Sequence, residues 1–153
     1  MQNLRILNSK EKKELLKKIK EQFDSDISEL EEYIFLINPR NKIFIISNDF
    51  SKIDITELRI NSLGLYFGEL YNNELRLSIE GSQIIGKSAK KNILELNNEL
   101  AEQWLKGLDI NLNDNENNYE NGFYLIKNNN IFIGCGKIIN KKLFNYVPKE
   151  RRI

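Results

Sequence analysis

The chain has 153 residues, of which 41% are apolar and 29% charged, and its 23 basic residues nearly balance 22 acidic ones. Such a composition belongs to a folded globular protein and excludes a disordered or fibrous one; the length suits one compact body with at most two lobes. The absence of histidine and the presence of one cysteine, Cys135, exclude an internal disulfide and a cysteine-based zinc cluster.

From Ser9 to Phe23 the apolar residues Leu15, Leu16, Ile19 and Phe23 recur at helical spacing among lysines and glutamates, with Ser9 placed as N-cap. Residues 33–38 and 42–47 are rich in Ile and Phe and flank Pro39-Arg40-Asn41, which predicts a β-hairpin. Residues 48–58 carry signals for both strand and helical turn. A second hairpin is expected from residues 63–71 and 74–80 around Asn72-Asn73, with Gly64 and Gly68 easing a close approach or a bulge. Residues 82–91 start as a helix and lose their apolar stripe, so a boundary between lobes is placed between Gly86 and Asn92.

After a short strand at 93–96, residues 98–105 read as a helix with Leu100, Ala101, Trp104 and Leu105 on one face and Gly107 as its stop. A strand at 108–112 and an acidic, asparagine-rich loop at 113–121 follow. Two strands, 122–127 and 131–139, are joined by Asn128-Asn129-Asn130, and a last strand spans 143–147. The many asparagines are attributed to an AT-rich genome rather than to a structural demand.

Several chemistries are missing. Without histidine there is no Ser-His or Cys-His nucleophile and no ready proton shuttle near neutral pH. The glycines do not form a phosphate loop, and the cluster Glu29, Glu31, Glu32 reads as a solvated face, so neither a metal nor a cofactor is expected. Cys135, between two glycines in a strand, reads as a small packed residue. The first twenty residues are too charged for a signal peptide and no apolar run reaches the ~20 residues that span a bilayer, which predicts a cytoplasmic protein with no membrane partner.

The charges are unevenly spread. Lys137, Lys141, Lys142, Lys149, Arg151 and Arg152 face only Glu150 over the last twenty residues; on charge alone a solvated face is the favoured reading, and a polyanionic partner is the other.

Three features in order, a helix ending in Trp104-Leu105-Lys106-Gly107, a strand opening at Gly122 and the strand Gly134-Cys135-Gly136-Lys137, resemble the PUA fold. The ending Leu143, Asn145, Pro148, Lys149, Arg152 is similar to the C-terminal PUA-like domain of Fmu/Sun-type rRNA cytosine-5 methyltransferases. It departs from that pattern at Val147, where an aromatic is usual, and at Glu150, where a glycine is. Ser62-Leu63-Gly64, Phe67-Gly68 and Leu75-Arg76-Leu77 resemble the pre-PUA domain of small ribosome-biogenesis factors, and the combination is similar to stand-alone archaeal proteins of that kind.

These resemblances imply an α+β chain in which a pre-PUA-like domain at residues 1–90, an antiparallel sheet with helices, packs on a PUA-like β pseudo-barrel at 91–153. They imply binding to structured rRNA or tRNA in ribosome biogenesis or RNA modification, with no catalytic activity of the chain's own. The expected RNA contacts are Lys106, Gly107, Lys137, Tyr146, Lys149, Arg151 and Arg152, the cations for phosphates and Tyr146 for stacking or for barrel packing. A monomer is expected, with an RNA methyltransferase or a ribosome-assembly factor as a further partner. The other reading is a protein-interaction adaptor or scaffold for such a complex.

Overall fold

A computed structural model of the protein describes residues 3–46, 64–113 and 117–153. The ambiguous stretch 48–58, Ser62-Leu63 of the pre-PUA-like motif and part of the loop at 113–121 lie outside the described residues.

The N-terminal sheet contains β1 (Arg5–Ile6), β2 (Ile34–Ile37), β3 (Lys42–Ile46), β4 (Leu65–Tyr71) and β5 (Glu74–Leu77), hydrogen-bonded in that order and antiparallel throughout. Helix α1 (Ser9–Phe23) covers it with the apolar stripe read from sequence, Leu15, Leu16, Ile19 and Phe23 all being buried. The N-cap is Asn8 rather than Ser9. The Asn8 side chain accepts a bond from the Glu11 N–H, and Glu11 returns one by accepting from the Asn8 N–H.

Glu11 also receives two guanidinium bonds from Arg5 at 2.8 Å, tying β1 to the helix start. The Arg5 bonds, followed by the Asn8 N–H, lower the Glu11 pKa to about 2. A carboxylate with a depressed folded-state pKa contributes stability above its unfolded value and loses it as pH falls. Acidification from pH 5 towards pH 2 is therefore expected to loosen the β1–α1 junction. A Glu11 titration followed by NMR checks this: a midpoint moved up towards the ordinary carboxylate value in Arg5→Ala is the expected result.

Helix α2 (Ile79–Gly86) starts earlier than the sequence predicts, because Ser78 caps it through the Gly81 N–H and ends β5 at Leu77. A one-residue bulge sits at Phe67, between the pairs Ile43–Gly68 and Phe44–Tyr66.

The second sheet has the order β6 (Ile93–Glu95), β8 (Gly122–Asn128), β9 (Ile131–Ile139), β10 (Lys142–Phe144) and β7 (Ile110–Asn111). β6 runs parallel to β8 and the other pairs are antiparallel. Helix α3 (Asn98–Leu105) lies where the sequence places it, capped by Asn97. The strands predicted at 108–112 and 143–147 are shorter, at Ile110–Asn111 and Lys142–Phe144, and β10 ends where Asn145 turns to bond the α3 C-terminus.

Asparagines do have a structural task. Asn72-Asn73 and Asn129-Asn130 form two-residue hairpin turns with positive φ at both positions, which Asn tolerates better than most residues.

Strand alternation on β8 splits the interior. Phe123 and Leu125 join a cluster with Phe23, Phe67, Leu77 and Ile85 of the N-terminal lobe, while Tyr124 and Ile126 join Trp104, Ile138 and Leu143 beneath α3. The central strands of the second sheet are thus buried on both faces.

Candidate nucleic-acid interface

The corner where α3 ends is built around close packing. Gly107 has φ +87°, a left-handed conformation that ends the helix, and the Arg152 side chain lies where a Gly107 Cβ would be. The Arg152 Nε donates to the Val147 carbonyl at 3.0 Å, and the Ile153 N–H donates to the Leu105 carbonyl at 3.1 Å. Asn145 reinforces the corner, its amide donating to the Trp104 and Leu108 carbonyls at 2.7 and 3.0 Å. The C-terminal segment therefore returns alongside the end of α3, placing the run Lys149–Arg151 beside the Lys106-Gly107 corner.

Beneath it, Trp104 is fully buried and donates its indole N–H to the Ile133 carbonyl at 3.0 Å. Ile133 is the extra residue of a bulge between the pairs Ile126–Gly134 and Lys127–Phe132. A Cβ on Gly136 would stand 2.6 Å from the Trp104 ring and 2.7 Å from Leu143, so the Gly-x-Gly strand leaves the space the indole fills.

The seven residues singled out from sequence have distinct surroundings. Lys149 is exposed and without an ion pair among the described residues, and Lys106 is paired only with Glu102 one turn back, at 3.3 Å on the surface. Arg151 bonds Glu80 of α2 at 2.6 Å, while Arg152 holds the tail. Lys137 instead points to the N-terminal lobe, 3.7 Å from Glu74 and 5.1 Å from the centre of the Phe123 ring. No described bond joins it to the corner. Tyr146 is 40% exposed, but the Arg76 guanidinium lies 4.5 Å above its ring and Phe123 packs beside it. Burial, partly opposed by Arg76, raises the Tyr146 hydroxyl pKa.

The N-terminal sheet brings cations and rings that were not among the expected RNA contacts: Arg76, Lys42 and Tyr66. Arg76 belongs to the motif Leu75-Arg76-Leu77 and stands opposite Glu69 in register, but neither fact signals a meeting with Tyr146 seventy residues on.

Cys135 is enclosed by the core. It is buried against Leu77, and burial pushes its thiol pKa up to about 12. The thiolate needed for nucleophilic attack is absent near neutral pH. Ellman's reagent at pH 8 is expected to leave the folded protein unmodified and to titrate one thiol on denaturation.

Among the described residues no group of His, Cys, Asp and Glu could hold a metal ion, and no helix is long and apolar enough to cross a membrane.

Residues 91–153 match the family model described as the methyltransferase RsmF PUA domain. Two curated proteins named ribosomal RNA small subunit methyltransferase F are similar to this chain. That of Vibrio parahaemolyticus serotype O3:K6 is 26% identical over 145 residues, covering 94% of this chain and 30% of the relative. That of Vibrio campbellii is 26% identical over 98 residues, covering 63% of this chain and 20% of the relative. The chain thus spans less than a third of the length of these relatives, and the first match reaches into the N-terminal lobe. Residues 91–153 are a PUA domain similar to the C-terminal one of the Fmu/Sun-type methyltransferases.

Proposed function

We propose, from a C-terminal PUA domain similar to that of RsmF, that this protein binds structured rRNA or tRNA and serves rRNA modification or ribosome biogenesis. The observation that carries the reading is the return of residues 149–153 onto the end of α3, within the segment that matches the RsmF PUA model. RNA helices present closely spaced phosphates, and a rigid corner bearing cations meets them without ordering a loop first.

In this reading Lys106 and Lys149 meet phosphates as point charges, and Arg151, which bonds Glu80 through one guanidinium nitrogen, offers its remaining N–H groups. Gly107 and Arg152 shape the corner, and Lys137 and Tyr146 flank it from the side of the first lobe. In the same reading the chain supplies RNA contact rather than methyl transfer, in keeping with burial that pushes the pKa of its one thiol, Cys135, up to about 12. An RNA methyltransferase or assembly factor is the further partner.

The division into residues 1–90, of pre-PUA type, and 91–153 belongs to the same proposal, as do a monomeric state and a cytoplasmic location. The separate hydrogen bonding of the two sheets supports the division, although Phe123, Leu125 and Cys135 contribute to the core of the first lobe.

The test is binding to a structured rRNA fragment across a salt series. Log affinity is expected to fall linearly with log salt, by ~0.7–0.9 per phosphate neutralised. No measurable binding at ~100 mM salt, together with capture of a protein partner that survives nuclease, favours the adaptor reading instead.

A further inference from the structure

Between the two sheets lies a cleft of about 660 Å³, within the ~300–1,000 Å³ range of sites that hold small organic groups. One wall comes from β3, β4 and β5, the other from the segment after β10. Phe44 and Tyr66 pack with ring centres 5.5 Å apart, and the Lys42 ammonium stands 5.9 Å from the Tyr66 centre. Across the gap, the Arg76 guanidinium lies over Tyr146. Arg76 is held there by Glu69 at 2.5 Å. Lys42 forms no ion pair among the described residues.

Rings and guanidinium planes stack on bases, and an unpaired cation beside them meets a phosphate. The Arg76 guanidinium sits 4.5 Å from the centre of the Tyr146 ring, Tyr146 is partly open to solvent, and Lys42 lines the same cleft. Two glutamates line the cleft: Glu80 is paired with Arg151 at 2.6 Å, and Glu150 stands exposed at the rim.

We propose that this cleft takes one unpaired nucleotide of the bound RNA, its base stacked on the Arg76–Tyr146 platform and its phosphate met by Lys42. The inference rests on the RNA-binding reading above and deepens it. It makes the site a joint product of both lobes and gives selectivity for a bulged or looped-out base over a continuous duplex.

Two RNAs test it: a stem with a single unpaired 2-aminopurine, and the same stem fully paired. The protein is expected to bind the bulged stem about tenfold more tightly, in keeping with the contribution of one stacked base, and to quench the 2-aminopurine. Tyr146→Leu and Lys42→Ala should each bring the affinity ratio towards one, and Tyr146→Phe should keep it. Lys42 lies on a strand surface, so K42A carries the test should Tyr146→Leu fail to fold by circular dichroism. Equal binding of both RNAs without quenching overturns the cleft proposal and leaves RNA binding standing. Binding of neither overturns both.

Discussion

Trp104→Ala is expected to lower the unfolding free energy by about 3–5 kcal/mol, the range for removing a fully buried large aromatic. Three losses combine. The indole fills the space that Gly134 and Gly136 leave on β9, so its removal leaves a cavity under α3. Its N–H satisfies the Ile133 carbonyl at a bulge, and alanine leaves that acceptor without a donor. The Trp104 carbonyl also receives the Asn145 amide, so a shift of α3 carries the return segment with it. A melting temperature lower by roughly 10 °C is the corresponding signal for a protein of this size. Because Trp104 is the only tryptophan, the variant is followed by circular dichroism. Trp104→Phe should recover part of the loss; equal melting of Trp104→Ala and the parent would contradict the packing described.

Removing Lys106, Lys149 and Arg151 together, as alanines, should reduce the log-log salt slope of RNA binding by about 2–3. Extrapolated to molar salt, that difference corresponds to about a hundredfold weaker binding near 0.1 M. Arg152 belongs to a different experiment. Its side chain rests on Gly107 and its Nε on the Val147 carbonyl, so Arg152→Ala releases the segment that carries the other cations. It should weaken binding with little further change in slope beyond its own charge, and should raise amide exchange at Ile153, whose N–H bonds Leu105. An unchanged slope in the triple variant would remove the corner from consideration as the phosphate-binding surface.

Features governed by neighbours in sequence are legible in the sequence itself. The stripe Leu15, Leu16, Ile19, Phe23 specifies α1, and the Asn-rich turns specify the hairpins, because period and turn chemistry act over a few residues. The start of α2 is hidden in the pattern. Ile79 and Glu80 continue the alternation of β5, and only the capping by Ser78 reveals that the helix has already begun. Asn8 and Ser9 are both good caps, and the bond to Glu11 decides between them. The resemblance in Lys106-Gly107 and Gly134-Cys135-Gly136 led to the PUA domain, which the comparison with RsmF bears out. Hidden from sequence were the partners of the cations. Arg151 with Glu80, Lys137 with Glu74 and Arg76 with Tyr146 are each joined across the two lobes, where no local pattern operates.

The shared core has a consequence for how a ligand would be received. Phe123 and Leu125 of the second sheet pack among Phe67, Leu77 and Ile85 of the first, so the distance between the two walls of the cleft is set by interdigitated side chains. Packed interiors of this kind resist continuous deformation. The opening keeps its width whether or not it is filled, in contrast to a jaw swinging on a pivot. In the cleft proposed above, recognition would therefore work by preformed fit, with little ordering entropy opposing association.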